Sequence, residues 1–242
     1  MKPVRRVFNP QIELPDCKKC NGDGYLRDAQ DRNLRDKNNV DLRCSCYYQN
    51  KYIDSNIGTE YWEITPANFE GHKDDLEAIL NFCTRIKEIK NSGQGLYMHG
   101  TYGAGKTTLG MLILKTILHY TKYSVLFAPF SDLVILNSRI VGGFHDKEAV
   151  QDVEYIKNVD FLVIDDLGKE FDNGKDYARA TLNSIIRYRD LWKKSTIYTA
   201  NVPLESLENH YGKSNYSVLR GRSEILSMKG TEDFRAIKKF DI

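Results

Sequence analysis

Gly100-Thr101-Tyr102-Gly103-Ala104-Gly105-Lys106-Thr107 is the stretch that decides the fold, because its spacing is G-x-x-x-x-G-K-T. A short apolar run, Leu96 to Met98, precedes it, and an apolar pattern with helical spacing follows it. In such a strand, loop and helix, the backbone N–H groups of the loop form a concave anion site that also faces the positive end of the helix. The stretch therefore predicts a P-loop that binds a nucleoside triphosphate.

Each position of this loop has a predicted part in holding the nucleotide. Gly103 and Gly105 allow backbone angles that a side chain would resist. Lys106 is expected to reach the β- and γ-phosphates, and the Thr107 hydroxyl is expected to bind Mg²⁺. The other predicted nucleotide-binding residues are Gly100, Thr101, Tyr102, Ala104 and Thr108. The alternative interpretation is a glycine turn that precedes a surface lysine.

The composition is that of a globular chain with one sizeable core and room for a small appendage. Of the 242 residues, 41% are hydrophobic and 28% are charged, unlike a disordered protein. The net charge of +2 is too small to indicate a nucleic-acid partner by itself. The apolar run Met111 to Leu114 stops at Lys115, and the basic start lacks the apolar core of a signal peptide. We therefore expect a cytoplasmic protein with no membrane partner.

Four of the five cysteines lie in the first fifty residues, in a C-x2-C pair and a C-x-C pair: Cys17, Cys20, Cys44 and Cys46. The polar residues 21–43 between the pairs cannot bury a core. Four thiolates at this spacing predict a tetrahedral Zn²⁺ site that supplies the missing folding energy. One alternative is a disulfide pair, which a reducing compartment disfavours. The other is a redox C-x-x-C motif, which lacks the surrounding βαβ pattern.

The sequence predicts three segments. Residues 1–50 form a zinc-binding domain, residues 51–73 an aromatic linker, and residues 74–242 the nucleotide-binding domain. The aromatic residues at the linker either stack on bases or form a cover of the nucleotide pocket or a hinge, and the second interpretation is preferred. A helix predicted over Asp74–Lys90 buries Cys83, which is therefore assigned to the core and not to the metal site.

Phe161 to Gly168 is the second stretch with a chemical signature, because an apolar strand run ends there in two carboxylates. In a parallel sheet the ligand site lies beyond the carboxyl ends of the strands. Asp165 is expected to hold Mg²⁺, and Asp166 is expected to orient or deprotonate the attacking water. A helix cap is the alternative. Since Asp166 is one methylene shorter than the usual Glu, the identity of the base stays open.

Strand and helix patterns alternate through the rest of the chain, which predicts a doubly wound α/β sheet. The predicted elements are strands over Val125–Ala128 and Ser195–Asn201, and helices over Phe130–Ile140, Lys147–Lys157 and Asp176–Trp192. The amide of Asn201 is expected to hold the attacking water between the γ-phosphate and Asp166. One of the arginines in the tail is expected to complete the site of a neighbouring subunit.

Several motifs occur in a fixed order along nearly the whole chain. They are the cysteine knuckle, His99 to Leu109, Ile164 to Glu170, Ile185 to Arg189, Tyr198 to Asn201 and the arginine-rich tail. Together they resemble those of the DnaC/DnaI-type AAA+ helicase loaders of bacteria and their phages. The P-loop motif alone is generic, whereas the ordered set with the knuckle is much more specific.

This resemblance implies particular roles. Asn201 matches sensor 1, Arg220 the arginine finger and Arg235 the sensor 2 arginine. The Ser-Arg-Leu pattern of the family reads Leu-Arg-Gly at Arg220, so Arg222 is a second candidate for the finger. The resemblance also implies ATP hydrolysis within a homo-oligomer, contact with single-stranded DNA, and docking of residues 1–50 on the hexameric replicative helicase.

Three other functions compete with a helicase loader. A transposase helper of the IstB type shares the nucleotide domain, but such helpers generally lack a four-cysteine knuckle. A zinc adaptor that binds ATP without hydrolysing it is the second, and the intact Lys106, Asp165 and Asp166 argue against it. A small-molecule kinase is the third, and it requires a lid and substrate-binding arginines that the sequence does not show.

Overall fold

The computed structural model describes residues 17, 20, 25, 26, 28, 30, 32–35, 42–141, 146–168 and 175–230. The chain divides into two compact units, Met1–Glu63 and Ile64–Ile242. This division falls inside the segment 51–73, where the sequence places a linker.

The first unit surrounds its cysteines with short extended segments and one helix. Backbone hydrogen bonds join Leu26, Leu34 and Leu42 in a closed set of three, with N···O distances of 2.7 to 2.9 Å. Helix α1 (Ser45–Asp54) begins within the second cysteine pair. It extends beyond residue 50, the predicted end of the zinc-binding domain. The buried core of this unit around the metal site consists largely of cysteine sulfur, as expected for a segment with few apolar residues.

The second unit alternates helices and strands in the predicted manner. Its strands are β1 (Gly95–His99), β2 (Val125–Pro129), β3 (Phe161–Leu167), β4 (Ser195–Ala200) and β5 (Ser223–Ser227). Its helices are α2 (Lys73–Thr84), α3 (Ile86–Ser92), α4 (Lys106–Tyr120), α5 (Phe130–Val141), α6 (Lys147–Asn158), α7 (Lys175–Leu191) and α8 (Leu207–Arg222). Short 3-10 helices span Thr59–Tyr61 in the first unit, and Pro66–Asn68 and Leu204–Ser206 in the second.

All five strands are parallel and lie in the order β2-β3-β4-β1-β5. Five consecutive residues of β3, Phe161 to Asp165, are buried. Successive side chains of a strand point to opposite faces, so both faces of the sheet are covered there. The predicted doubly wound α/β fold is therefore confirmed. Since β4 lies between β1 and β3, the carboxyl ends of these three strands are neighbours.

Helix α4 is the central helix of the second unit. Ten of its residues are buried. A helix that is apolar on all sides belongs in the interior of a domain. A Cβ on Gly110 would lie 3.3 Å from Val163 Cγ1, so the glycine permits close packing of α4 on β3. This packing fixes the amino end of α4, where Lys106 and Thr107 of the Gly100–Thr107 loop lie.

The segment predicted as one helix, Asp74–Lys90, is two helices in the structure. Arg85 leaves the helical conformation, with φ −99° and ψ 15°, and separates α2 from α3. Cys83 is partly buried near the end of α2, where burial raises the pKa of its thiol to about 11. A thiol kept protonated in this way is a core side chain and a poor metal ligand.

Arg189 of α7 is buried, with 1% of its surface exposed. Burial lowers the pKa of its guanidinium to about 10. The guanidinium donates to Thr196 Oγ1 and to the carbonyl oxygens of Ile156, Lys157, Val159 and Ser195. These partners include the end of α6 and the start of β4, so Arg189 joins two elements at the amino edge of the sheet.

In the part of the chain that the structure describes, no helix combines the length and the apolar character needed to cross a membrane.

Candidate nucleotide and metal sites

The Gly100–Thr107 loop leaves the carboxyl end of β1 and enters α4 without an intervening residue. Gly103 and Gly105 have φ angles of 77° and 88°, the left-handed region that glycine adopts without strain. A Cβ on Gly105 would also lie 3.2 Å from Cζ of Phe69. The glycine spacing is therefore needed both for the turn and for the close approach of the segment that precedes α2.

Lys106 is buried at the start of α4, with 6% of its surface exposed. Its Nζ donates to the carbonyl oxygens of Gly100 at 2.9 Å and Thr101 at 2.6 Å. The ammonium group is therefore held against the loop. A lysine used only to solubilise the surface would extend into solvent, so the burial contradicts the interpretation of a surface lysine after a glycine turn.

Thr107 and Asp165 meet across the junction of α4 and β3. Thr107 Oγ1 lies 3.1 Å from both carboxylate oxygens of Asp165. Thr199 Oγ1 on β4 donates to Asp165 Oδ1 at 2.5 Å. Asp165 is buried, and the hydroxyl and carboxylate oxygens together form the hard donor set that Mg²⁺ prefers.

Asp166 lies on an irregularity at the end of β3, where the pairing with β4 shifts between Ile164 and Leu167. Its φ angle is 62°, unusual for a residue with a side chain, and its N–H donates to Thr199 Oγ1 at 2.9 Å. Such a bulge redirects a side chain and is common beside active sites. The consecutive carboxylates are thereby placed differently: Asp165 is buried and Asp166 is partly exposed.

Asn201 follows the last residue of β4. Its Nδ2 is buried and makes no hydrogen bond to any group in the described residues. Since β4 lies between β1 and β3, Asn201 belongs to the same edge of the sheet as the Gly100–Thr107 loop and Asp165. A buried amide donor without a protein partner is an expected feature of a ligand site.

Arg220 and Arg222 lie near the amino ends of the strands, at the opposite end of the sheet from the Gly100–Thr107 loop. Helix α8 ends at Arg222, and the next residue, Ser223, pairs with Gly95 at the start of β1. The Gly100–Thr107 loop leaves the opposite end of β1, about 13 Å along the strand. These two arginines are therefore remote from the loop of their own chain.

The two candidate fingers differ in their contacts. Arg220 is exposed, and its Nη1 donates to Tyr216 OH at 2.8 Å. Arg222 is engaged within its own chain, because its Nε donates to Asp190 Oδ1 at 2.5 Å. Arg235, the predicted sensor 2 residue, lies outside the described residues.

Two further segments contact the loop. The segment before α2 begins with a capping box between Thr65 and Asn68 and places Phe69 beside Gly105. The segment after β5 accepts a hydrogen bond from Thr101 Oγ1 at Gly230 O, 3.1 Å away. Phe69 belongs to the predicted aromatic linker, and its position agrees with the interpretation of that linker as a cover of the nucleotide pocket.

The four predicted metal ligands come together in the first unit, with all four Sγ atoms within 4.8 Å of one another. Cys17 and Cys44 Sγ are 3.6 Å apart, and Cys20 and Cys46 Sγ are 3.1 Å apart. Ligands of tetrahedral zinc, at Zn–S distances of about 2.3 Å, are about 3.8 Å from each other. The Cys46 N–H is the main cause that lowers the pKa of Cys44, whereas burial raises the pKa of Cys46. The four thiols therefore fit a zinc ion, and none is in a disulfide.

Two residues of the site were not found from the sequence. Thr199 connects Asp165 to the Asp166 N–H, and Tyr211 OH accepts from the Gly168 N–H at 2.8 Å. The signal for Thr199 was its place two residues before Asn201, near the end of a strand. No sequence signal indicated Tyr211, because it reaches Gly168 from α8, far along the chain.

Neither a scan against protein-family models nor a search of curated proteins found a match. Solved structures do match. A crystal structure of the DnaC helicase loader shares 26% identity and a TM-score of 0.62, covering 71% of this chain and 100% of that one. That neighbour is a helicase loader. DnaI follows with 21% identity and a TM-score of 0.59, covering 71% of this chain and 94% of that one.

A third neighbour is the replication initiator DnaA bound to AMPPCP and single-stranded DNA. It shares 18% identity and a TM-score of 0.55, and the match covers 71% of this chain and 50% of that one. The identities of DnaI and DnaA support the fold alone. The chain thus has the AAA+ P-loop fold of the DnaC/DnaI helicase loaders, with a four-cysteine cluster that fits a zinc-binding domain.

Proposed function

We propose that the chain is an ATP-dependent loader that delivers the hexameric replicative helicase onto single-stranded DNA. The observation that carries the proposal is the similarity to the DnaC helicase loader over that protein's entire solved chain. The Gly100–Thr107 loop and the Asp165 site lie within the same fold. The four-cysteine unit adds a second feature that distinguishes a loader from transposase helpers of similar fold.

ATP and Mg²⁺ fit the residues at the carboxyl edge of the sheet. The glycine turn provides backbone N–H groups at the amino end of α4, and Lys106 provides the cation. Thr107 and Asp165 would hold Mg²⁺ through their oxygen atoms. When bound, ATP supplies the γ-phosphoryl group that is transferred to water. The other loop residues, from Gly100 to Ala104, would line the phosphates, and Thr108 follows the loop in α4.

Two side chains are assigned to the attacking water. Asp166, partly exposed at the bulge, accepts a hydrogen bond from the water or its proton. Asn201 donates from Nδ2, the buried atom that makes no hydrogen bond to the described residues. Thr199 Oγ1 accepts the N–H of Asp166 and so holds its backbone in place. The aspartate, which stands where a longer glutamate is usual, therefore has a fixed position.

Arg220 acts in trans in this proposal. It is exposed at the edge opposite its own loop, so it reaches a γ-phosphate only when a second copy of the chain places its loop there. We therefore assign the protein to a homo-oligomer in the ATP-bound state. Arg222 is the weaker candidate because Asp190 engages it. Arg235 is assigned to the nucleotide of its own chain, by resemblance only.

The zinc-binding unit is assigned to docking on the helicase, and the cytoplasm is the compartment that we propose. The four thiolates of Cys17, Cys20, Cys44 and Cys46 would saturate a tetrahedral ion, so the ion has a structural role and no open position for a substrate. Its binding free energy folds the unit that carries the docking surface.

The test is capture of a purified hexameric replicative helicase by the full-length protein, with and without ATP and Mg²⁺. Cys17→Ser/Cys20→Ser is the variant, and Cys83→Ser, which changes the one cysteine outside the cluster, is the control. We expect capture by the wild type and the control and loss of capture by the variant. If the wild type hydrolyses ATP but captures no helicase in either state, the loader proposal is wrong and the transposase helper becomes the better assignment.

A further inference from the structure

The first unit carries a group of aromatic rings and cations beside the cysteines, here called the tyrosine–arginine cluster: Tyr25, Arg43, Tyr47, Tyr48 and Lys51. The Arg43 guanidinium lies 3.9 Å from the centre of the Tyr47 ring and 5.8 Å from that of Tyr25. Lys51 Nζ lies 4.9 Å from the Tyr47 ring. Tyr48 meets the Tyr47 ring edge-on, with centroids 5.2 Å apart. Two cations and three rings therefore share one small region.

The charges in this cluster are of one sign. The pKa of Lys51 is lowered, first by burial and second by the like charge of Arg43. Two like charges held close together raise the local positive potential, which attracts an anion.

The scaffold holds the cluster in place. Arg43 directly precedes Cys44, and it forms the antiparallel bridge with Tyr25. The Tyr47 N–H donates to the Cys44 carbonyl oxygen at 3.0 Å, at the start of α1. The cysteine cluster and the first turn of α1 therefore fix the backbone at Arg43 and Tyr47. A ligand that binds here pays little for ordering them.

We propose that the tyrosine–arginine cluster is a binding site for single-stranded nucleic acid. Arg43 and Lys51 pair with phosphates, and bases stack on the tyrosine rings and on the exposed guanidinium plane of Arg43. This inference rests on the proposed loading function and deepens it, because it gives the zinc-binding unit a contact with the DNA strand as well as with the helicase.

The combination of rings and cations favours nucleic acid over an acidic peptide. Carboxylates of a peptide are recognised by the cations alone, and nothing in that recognition uses three neighbouring aromatic rings. Every base has a π-face, so a group of rings with cations beside it binds single strands without sequence preference. An acidic protein partner is therefore an outcome of the test and not the proposal.

The experiment measures the binding of fluorescein-labelled oligothymidylate to the full-length, zinc-loaded protein by anisotropy, at several salt concentrations. The variant is Arg43→Ala/Lys51→Ala. The matched control is Lys87→Ala/Lys122→Ala, which removes the same charge from exposed positions of the second unit. Tyr47→Leu tests stacking separately, and the zinc content of each variant verifies that the first unit is folded. Capture of the helicase is measured on the same samples.

We expect the double variant to bind at least about tenfold more weakly than the control. The slope of log K against log salt should fall by about 1.4, from two lost phosphate contacts at about 0.7 each. Tyr47→Leu should bind roughly fivefold or more weakly with an unchanged salt slope. Retained helicase capture in these variants supports a separate DNA site.

Two results overturn the inference. Unchanged DNA binding by both folded variants excludes the site, even if helicase capture persists and the loading function stands. Loss of helicase capture with unchanged DNA binding identifies the cluster as a surface for an acidic protein partner. If instead DNA binding is lost as expected but the wild type captures no helicase, the loading function fails and the nucleic-acid site stands.

Discussion

Thr199 Oγ1 donates a hydrogen bond to Asp165 Oδ1 at 2.5 Å, from the strand that lies beside the strand of the aspartate. The same hydroxyl oxygen accepts the N–H of Asp166 at 2.9 Å. One side chain therefore fixes both the buried carboxylate and the backbone of the next residue. The relative placement of the two carboxylates depends on it.

Thr199→Val should lower ATP turnover more than ATP affinity. The substitution preserves shape but leaves the Asp166 N–H without its acceptor, which costs about 1–3 kcal/mol in the free energy of unfolding. Steady-state hydrolysis and nucleotide titration separate the two effects. Thr116→Val is the matched control, because it removes the same hydroxyl from a threonine whose Oγ1 donates to Leu112 O within α4. Equal ATP turnover and equal ATP affinity in the two variants would contradict the role given to Thr199.

Lys106→Ala should weaken ATP binding by roughly tenfold or more, because a charge-assisted interaction worth about 1.5–3 kcal/mol is lost. Titration with a fluorescent ATP analogue measures the change. Lys87→Ala, at an exposed position of α3, is the control for loss of charge. Wild-type affinity in a folded Lys106→Ala protein would refute the assignment of the loop.

Arg220→Ala should bind ATP normally but lose the hydrolysis that depends on assembly. The sharpest test mixes this variant with Lys106→Ala. Each is inactive alone, but a Lys106→Ala neighbour presents its intact Arg220 to the loop of the Arg220→Ala protein, so activity should partly return. Hydrolysis at the wild-type rate by the Arg220→Ala protein alone would remove Arg220 from the site.

Removal of the metal should unfold the first unit and leave the second intact. Four thiolates supply most of the folding free energy of a small metal site, so chelation or Cys44→Ser should expose Cys20 and Cys46 to alkylation. ATP affinity should not change, because the Gly100–Thr107 loop belongs to the other compact unit. Metal analysis, thiol alkylation and nucleotide titration test this together, and a parallel loss of ATP binding would contradict it.

Arg189→Met should destabilise the protein by about 3–5 kcal/mol, because it leaves several buried carbonyl oxygens without a donor. Arg187→Met is the control on the same helix, since Arg187 is exposed and contacts Ser214. Thermal and denaturant unfolding measure both. Similar unfolding midpoints would show that the carbonyl groups find other partners.

The predictable part of this protein is the part encoded locally. The strand patterns and the glycine spacing predicted the sheet, the loop and the edge where Asp165 and Asn201 lie, since parallel strands place their carboxyl ends together. The spacing of Cys17, Cys20, Cys44 and Cys46 likewise predicted a cluster that the structure brings together.

The features that were missed depend on tertiary contacts. The break at Arg85 lies in a continuous helical pattern, and no residue type marks it. The hydrogen bond from Gly168 to Tyr211 joins residues far apart in the chain. The choice between Arg220 and Arg222 became possible only when Asp190 was seen to engage the second. Sequence spacing carries no information on such pairs.

The segment after β5 returns to the start of the second unit. Its Lys229 N–H donates to the buried carboxylate of Asp75, and Gly230 accepts from Thr101 in the loop. A mechanical pull on the chain beyond residue 230 would therefore be transmitted directly to the loop. Tension on the chain at that point is therefore expected to weaken nucleotide binding.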